Sequence, residues 1–384
     1  MTRVSIDPGL LRWARERAGR GQAELAAKFK KLPQWEAGES RPTLKQAEAF
    51  ARAVHLPVGY LFLAEPPEER VPIPDYRTVA GQPVARPSPN LLDTIYACQE
   101  RQAWYRDFVR GERRPELGFV GSVTVRTPPE TAAARMQDTL GFDPAARRDC
   151  PSWRDALRLF IRCADDAGVL VMVSGVVMSN TRRRLDPAEF RGFALSDPLA
   201  PLVFVNGVDT RAAQMFTLAH ELAHLWLGAS ALSNSEAAAG PGLRREEVWC
   251  NAVAAEFLVP LDDLRAELQA DESLDSALAR LARAFKVSTL VVLRRLLDAD
   301  WLDRGRFGVA WEQETARLSA LAQRGGGGGD FYRTTLSRVS RRFARAVVGS
   351  TLEGRTLYRD AFRMLGVSKT ETFENLGREV GLMG

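Results

Sequence analysis

The pentapeptide His220-Glu221-Leu222-Ala223-His224 constrains this chain more than any other feature, because it lies inside an almost continuous apolar run. Met215, Phe216, Leu218, Ala219, Leu222, Ala223, Leu225, Trp226 and Leu227 surround it. Residues i and i+4 of a helix share one face about 6 Å apart, so a helix here brings two imidazoles side by side. The apolar flanks predict that this helix, roughly 210–228, is buried, and Gly228 is placed to end it. The chain has only three histidines, and two of them form this pair. Two imidazoles at this spacing can converge on one tetrahedral Zn²⁺. A carboxylate directly after the first of them, Glu221, reaches a water that the ion has polarised and can take its proton. H-E-x-x-H alone also arises by chance, so the context carries the weight.

A third ligand has to come from elsewhere. His55 is the remaining histidine and sits in an N-terminal helical stretch. Cys250 is a thiol candidate, and Glu246, Glu247 and Glu256 fall on a second predicted helix, 246–258. Spacing does not choose among them. Cys98, Cys150, Cys163 and Cys250 form no C-x-x-C pair, which argues against a disulfide framework and a thiolate zinc site. Reduced thiols fit a reducing compartment. The N-terminus has no apolar signal core, and no stretch approaches the ~18 apolar residues of a membrane span, so a cytoplasmic protein without membrane attachment is expected. A formal charge of +5 and a pI of about 9.2 permit contact with nucleic acid without requiring it.

The chain's 384 residues suggest two or three domains. Residues 1–64 read as short helices, with Leu10, Leu11, Ala14 and Ala18 at helical spacing. Residues 65–90 hold Pro66, Pro67, Pro72, Pro74, Pro83, Pro87 and Pro89, which predicts an extended linker. The next unit, 91–310, begins with helices over 91–110, 128–140 and 153–167. Strand-type runs follow at 169–173, 190–195 and 201–206, then the two histidine- and glutamate-bearing helices. Five glycines at 325–329 predict a flexible linker, and 330–384 an arginine-rich helical domain. The expected fold class is α+β, mostly helical, with a small sheet packed on helices.

Several segments resemble the ImmA/IrrE family of metallopeptidases. They are Glu189-Phe190-Arg191-Gly192-Phe193, Phe204-Val205-Asn206, Phe216 to His224, and Glu247-Val248-Trp249-Cys250-Asn251-Ala252-Val253-Ala254-Ala255-Glu256-Phe257-Leu258-Val259-Pro260. The last is similar to the family's E-x-x-x-N-x-x-A-A-E-x-L-x-P signature, whose first Glu is the third zinc ligand. The resemblance covers roughly 165–300. It implies a zincin-like core, a Zn²⁺ cofactor held by His220, His224 and Glu247, Glu221 as general base, and Glu256 in a supporting role. With the Pro72-Ile73-Pro74-Asp75-Tyr76-Arg77 strap, the arrangement resembles larger family members that carry a Cro/repressor-type (XRE) N-terminal domain. For such proteins the family implies cleavage of a regulatory protein, a repressor or toxin partner, in a stress or toxin–antitoxin circuit. An alternative is neutralisation of a PIN-like nuclease toxin by direct binding, with transcriptional autoregulation and a zinc site not needed for that role.

Leu25-Ala26 and Trp35-Glu36-Ala37-Gly38 resemble the repressor-type helix-turn-helix. The gap between them is about one turn short of the usual recognition helix, and Pro33 falls inside it as an expected helix breaker. Lys28, Lys30, Lys31 and Gln34 are the side chains available to DNA. The competing use of this unit is protein contact or homodimerisation. Residues 278–296 and 361–376 also have helix-turn-helix cadence, for which helical packing is the plainer reading. The arginines of 338–345 read as a solvated helix face or as a surface for an acidic partner. Trp226 and Trp249 read as core anchors that could also floor a cleft beside the histidines. Arg191 reads as an ion-pair partner before an oxyanion-stabilising group. No Tyr or His is placed for that last role, Tyr332 and Tyr358 being too distant in sequence to locate.

Overall fold

A computed structural model describes the chain except residues 1, 77, 80–81, 84–86, 234–243, 270, 323–330 and 384. The glycine run 325–329, Arg77 and parts of the proline-rich linker lie outside the described residues. The chain divides into two compact units, one of residues 1–72 with 85–93, the other of 73–84 with 94–384. Residues 330–384, expected as a separate domain, fall within the second unit. No helix among the described residues is long and apolar enough to cross a membrane.

The first unit holds α1 (Pro8–Arg17), α2 (Gln22–Ala26), α3 (Leu32–Glu36), α4 (Leu44–Ala53) and a 3-10 turn (Val58–Phe62). Asp7 caps α1 with Pro8 at its first position, and Thr43 and Gln46 close a capping box on α4. Leu11, Leu25, Leu32, Trp35, Phe50 and Leu61 make its core. Glu36 is buried there because the Arg15 guanidinium meets it at 2.7 Å and Gln22 donates to it at 2.8 Å. The expectation for Pro33 needs correction. It does not break a helix but sits in the first turn of α3, where a missing N–H costs nothing. Helices α2 and α3 have five residues each, so the gap holds no helix of recognition length. Lys28, Lys30, Lys31 and Gln34 are exposed around them.

The second unit opens with the antiparallel pair β1 (Thr78–Val79) and β2 (Gln82–Pro83), then α5 (Pro89–Gly111, of which residues 94–111 belong to this unit), α6 (Pro129–Leu140), α7 (Pro144–Arg148) and α8 (Trp153–Asp166). Strand β3 (Leu170–Ser174), a hairpin of β4 (Val176–Val177) and β5 (Asn180–Arg184), and strands β6 (Gly192–Leu195) and β7 (Leu202–Asn206) come next. Then follow α9 (Arg211–Leu227), β8 (Ala231–Ser233) and α10 (Arg245–Leu258). The sheet order is β3-β7-β6-β8, with β3 parallel to β7 and the other pairs antiparallel. Helix α9 lies on β6 and β7, and α10 packs on α9 and α6. Because α9 is covered on all sides, it reads as apolar all round: every residue from Gln214 to Trp226 is buried. Thr210 caps its start, and Gly228 ends it at φ +71°.

Helix α9 comes unusually close to β6. A Cβ on Gly192 would stand 2.6 Å from Thr217 Cγ2, 2.9 Å from the Phe204 carbonyl oxygen and 3.1 Å from Glu221 Cγ. Only glycine allows this approach, which sets the depth of Glu221 against the sheet.

The remaining helices are α11 (Leu261–Glu267), α12 (Leu274–Phe285), α13 (Thr289–Asp298), α14 (Arg304–Ala322), α15 (Phe331–Val339), α16 (Arg341–Leu352), α17 (Tyr358–Leu365) and α18 (Thr370–Glu379). The cadence at 278–296 belongs to α12 and α13, whose Leu281, Phe285, Val292 and Leu296 join the main core. Of the arginines, Arg342 donates to Tyr105 Oη at 2.8 Å and to the Asp165 carbonyl at 2.7 Å, so part of that run is anchored rather than solvated. The Ser340 hydroxyl donates to Asp165 Oδ1 at 2.9 Å. These bonds tie α16 to α8.

Candidate metal centre

Helix periodicity places His220 and His224 one turn apart on α9, and the packing of α10 across α9 brings Glu247 to them. His224 Nε2 is 3.1 Å from His220 Nε2, and Glu247 lies 3.0 Å from His224 Nε2 and 3.4 Å from His220 Nε2. All three side chains are buried, at 0%, 0% and 2% exposure, a burial that charged and polar groups tolerate only when paired or coordinating. His220, His224 and Glu247 are the His/Cys/Asp/Glu group that can hold a metal among the described residues. Donors about 2.0–2.1 Å from a tetrahedral ion stand about 3.3–3.4 Å apart, so the spacing suits a Zn²⁺-sized ion. The Glu247 oxygen nearest His224 has no aligned hydrogen bond among the described residues, as fits an atom directed at a shared cation.

Burial opposes charge on Glu247, but the two imidazoles outweigh it and hold the carboxyl down at about 2, ionised as a ligand must be. Burial also opposes charge on His220, yet Glu247 overcomes it and raises the imidazole. His224 is lowered, by burial first. Burial pushes the Glu221 carboxyl up to about 8, partly offset by His220 and by the Ser233 bond.

Three residues around the group were not singled out from the sequence. Asn251 Oδ1 is 2.9 Å from His220 Nδ1. That contact suits Nδ1–H as donor, which leaves the Nε2 lone pair facing His224 and Glu247. Asn251 follows Glu247 by four residues, so the two share a face of α10; the signature contained it, and the i+4 spacing was the available signal. The Ser233 hydroxyl, from β8, donates to Glu221 Oε1, while buried Oε2 has no partner among the described residues. The Tyr76 ring lies 6.2 Å from the His224 ring, and the Arg244 guanidinium stands 4.8 Å from Tyr76. Nothing in sequence spacing announces Ser233 or Tyr76, because both arrive by long-range pairing at the sheet edge.

The other candidates fall elsewhere. Glu256 is ion-paired with buried Arg295, which also donates to the Val259 carbonyl at 2.9 Å. Cys250 is buried in the core, Glu246 is half-buried, and His55 belongs to the first unit. Arg191 pairs with Asp209 at 3.6 Å. Trp226 is 1% exposed and stacks on Phe119 at 4.4 Å, so it is core and does not floor a cleft. Trp249 donates to the Thr127 carbonyl at 2.8 Å. Tyr358 packs on Phe362 and Phe373, and the Tyr332 side chain lies outside the described residues.

No curated protein matches the chain. Residues 339–379, which contain α16 to α18, match a family model described as a domain of unknown function, DUF8813. Residues 164–297, which span the sheet and helices α9 to α13, match the Peptidase M78 model, described as the IrrE N-terminal-like domain. That match contains the entire His–His–Glu group and supports the ImmA/IrrE family of metallopeptidases as the relatives of this domain.

Proposed function

We propose that this protein is a zinc-dependent metalloendopeptidase that cleaves a specific regulatory protein, a repressor or a toxin partner. The observation that carries the reading is the convergence of His220 and His224 of buried α9 with Glu247 of α10, beside Glu221 on α9. A bound Zn²⁺ supplies a Lewis acid that polarises a water and the scissile carbonyl. The chain's own residues supply the rest. His220, His224 and Glu247 hold the ion, and Asn251 keeps His220 in the tautomer that can ligate. Glu221 removes the proton from the attacking water and delivers it to the departing amine. Ser233 fixes one carboxylate oxygen, and the other, buried Oε2, is left for that exchange.

The test is a comparison of zinc-loaded wild type and Glu221→Gln, each incubated with the protein complement of the source cell. New N-termini formed only by wild type identify the substrate. Equal zinc content with no Glu221-dependent termini rules proteolysis out. Neutralisation of a partner that survives Glu221→Gln would then favour action by binding.

A further inference from the structure

The Pro-Ile-Pro-Asp-Tyr strap has no part in the chemistry above, yet it lies against the strand that borders it. β8 is one of the two outer strands of the sheet. Ala231 and Ser233 face inward to Ala194 and Gly192, with Leu232 opposite Phe193. The N–H and carbonyl of Leu232 point outward, and the chain itself takes both. Leu232 donates to the Pro74 carbonyl at 2.9 Å, and the Tyr76 N–H donates to the Leu232 carbonyl at 2.9 Å. Asp75 thus bridges Leu232 in parallel. The next residue of β8, Ser233, is the one bonded to Glu221. The strap therefore covers the sheet edge immediately beside the catalytic carboxylate. Tyr76 extends it to both helices of the site, near His224 of α9 and under Arg244, which caps α10.

An outer strand edge pairs with any extended backbone, through main-chain bonds that are blind to sequence. The strap uses this edge weakly. Among the described residues it makes two bonds to β8, both of the parallel kind, and Pro72 and Pro74 have no N–H with which to lengthen the ladder toward the strap's start. A longer segment with free amides can out-compete it. We propose that the strap holds the place of a substrate strand, so that substrate enters as an extended, unfolded polypeptide segment that pairs with β8 and lifts residues 74–76 away. This rests on the peptidase reading and adds to it a gate, the strap that occupies the substrate edge until it is displaced. Folded domains are excluded, and strap release limits the capture of short or weakly pairing segments.

The experiment compares zinc-loaded wild type, Tyr76→Pro and Tyr76→Ala. Proline removes the N–H that binds Leu232, whereas alanine removes the ring and keeps the bond. Hydrogen exchange at the Leu232 amide reports strap release without any activity, and cleavage of unfolded, dye-labelled casein reports access. Tyr76→Pro is expected to speed Leu232 exchange and to raise casein kcat/KM about tenfold, mainly through KM, with a smaller change in Tyr76→Ala. Faster Leu232 exchange with cleavage unchanged, reduced or absent overturns the proposal. So does Leu232 exchange that does not respond to proline. If the Glu221-dependent termini described above are found while casein cleavage ignores the strap, the gate alone is wrong. If neither is found, the peptidase reading has failed.

Discussion

Gly192→Ala is the substitution that most sharply joins the fold to the site. The added carbon would lie 2.6 Å from Thr217 Cγ2 and 3.1 Å from Glu221 Cγ, where ordinary carbon contacts need about 3.5–4.0 Å. The third neighbour, the Phe204 carbonyl oxygen at 2.9 Å, belongs to the paired backbone of β7 and cannot rotate away. Helix α9 must then retreat from β6 by roughly 1 Å, or Glu221 must change its position. Overpacking of this kind costs about 1–3 kcal/mol of stability. A displacement of about 1 Å at a catalytic group costs on the order of 100-fold in rate. Denaturant unfolding, bound zinc and cleavage of the identified substrate are the three readouts. Zinc content should change least, because His220 and His224 face Asn251 and Glu247 of α10 rather than β6. Adding Thr217→Ser removes the closest contact and should restore part of both losses, a coupling of about 0.5–3 kcal/mol. Wild-type stability together with wild-type cleavage in Gly192→Ala would refute the reasoning.

Two further outcomes are expected. Asn251→Ala removes the partner of His220 Nδ1 and should weaken zinc affinity about 10–100-fold in a competitive chelator titration, with the fold retained. Asp165 should make stability depend on pH, because burial pushes its carboxyl from 3.8 up to about 7 despite bonds from Ser340 and Val171. Between those values the folded chain holds a proton that the unfolded chain has released. Stability therefore falls as pH rises through that window and is level above it, an effect of roughly 4 kcal/mol. Both bonds end on Oδ1, so Asp165→Asn can keep them. The gain in Tm of Asp165→Asn over wild type should grow by several degrees from pH 4 to pH 8 in thermal scans.

The elements closest to the site were legible because their signals are local. The apolar run around His220 has to be a buried helix, and the apolar runs 169–173 and 201–206 form strands that start one residue later, as β3 and β7. Strand β6 starts at Gly192 rather than Phe190 because a turn closes at Phe190 onto the Asp186 carbonyl. What spacing left open was tertiary. Glu246, Glu247 and Glu256 sit on one helix, and only its crossing with α9 selects Glu247 and sends Glu256 to Arg295. Ser233 and Tyr76 meet the site through pairings of the sheet edge, which no periodicity encodes. The β4–β5 hairpin escaped notice because Arg182, Arg183 and Arg184 carry no strand-like alternation. Pro33 misled because what a proline does depends on its position in a helix, not on its presence.

X-ray absorption on protein purified without chelators bears most directly on the metal-centre assignment. One zinc per chain is expected, with light-atom ligands only, two of them imidazole nitrogens, at about 2.0–2.1 Å. Loss of this ion in His224→Ala, with the fold intact, should follow. Protein that takes up no zinc, or a spectrum with a sulfur ligand near 2.3 Å pointing to Cys250, would contradict it.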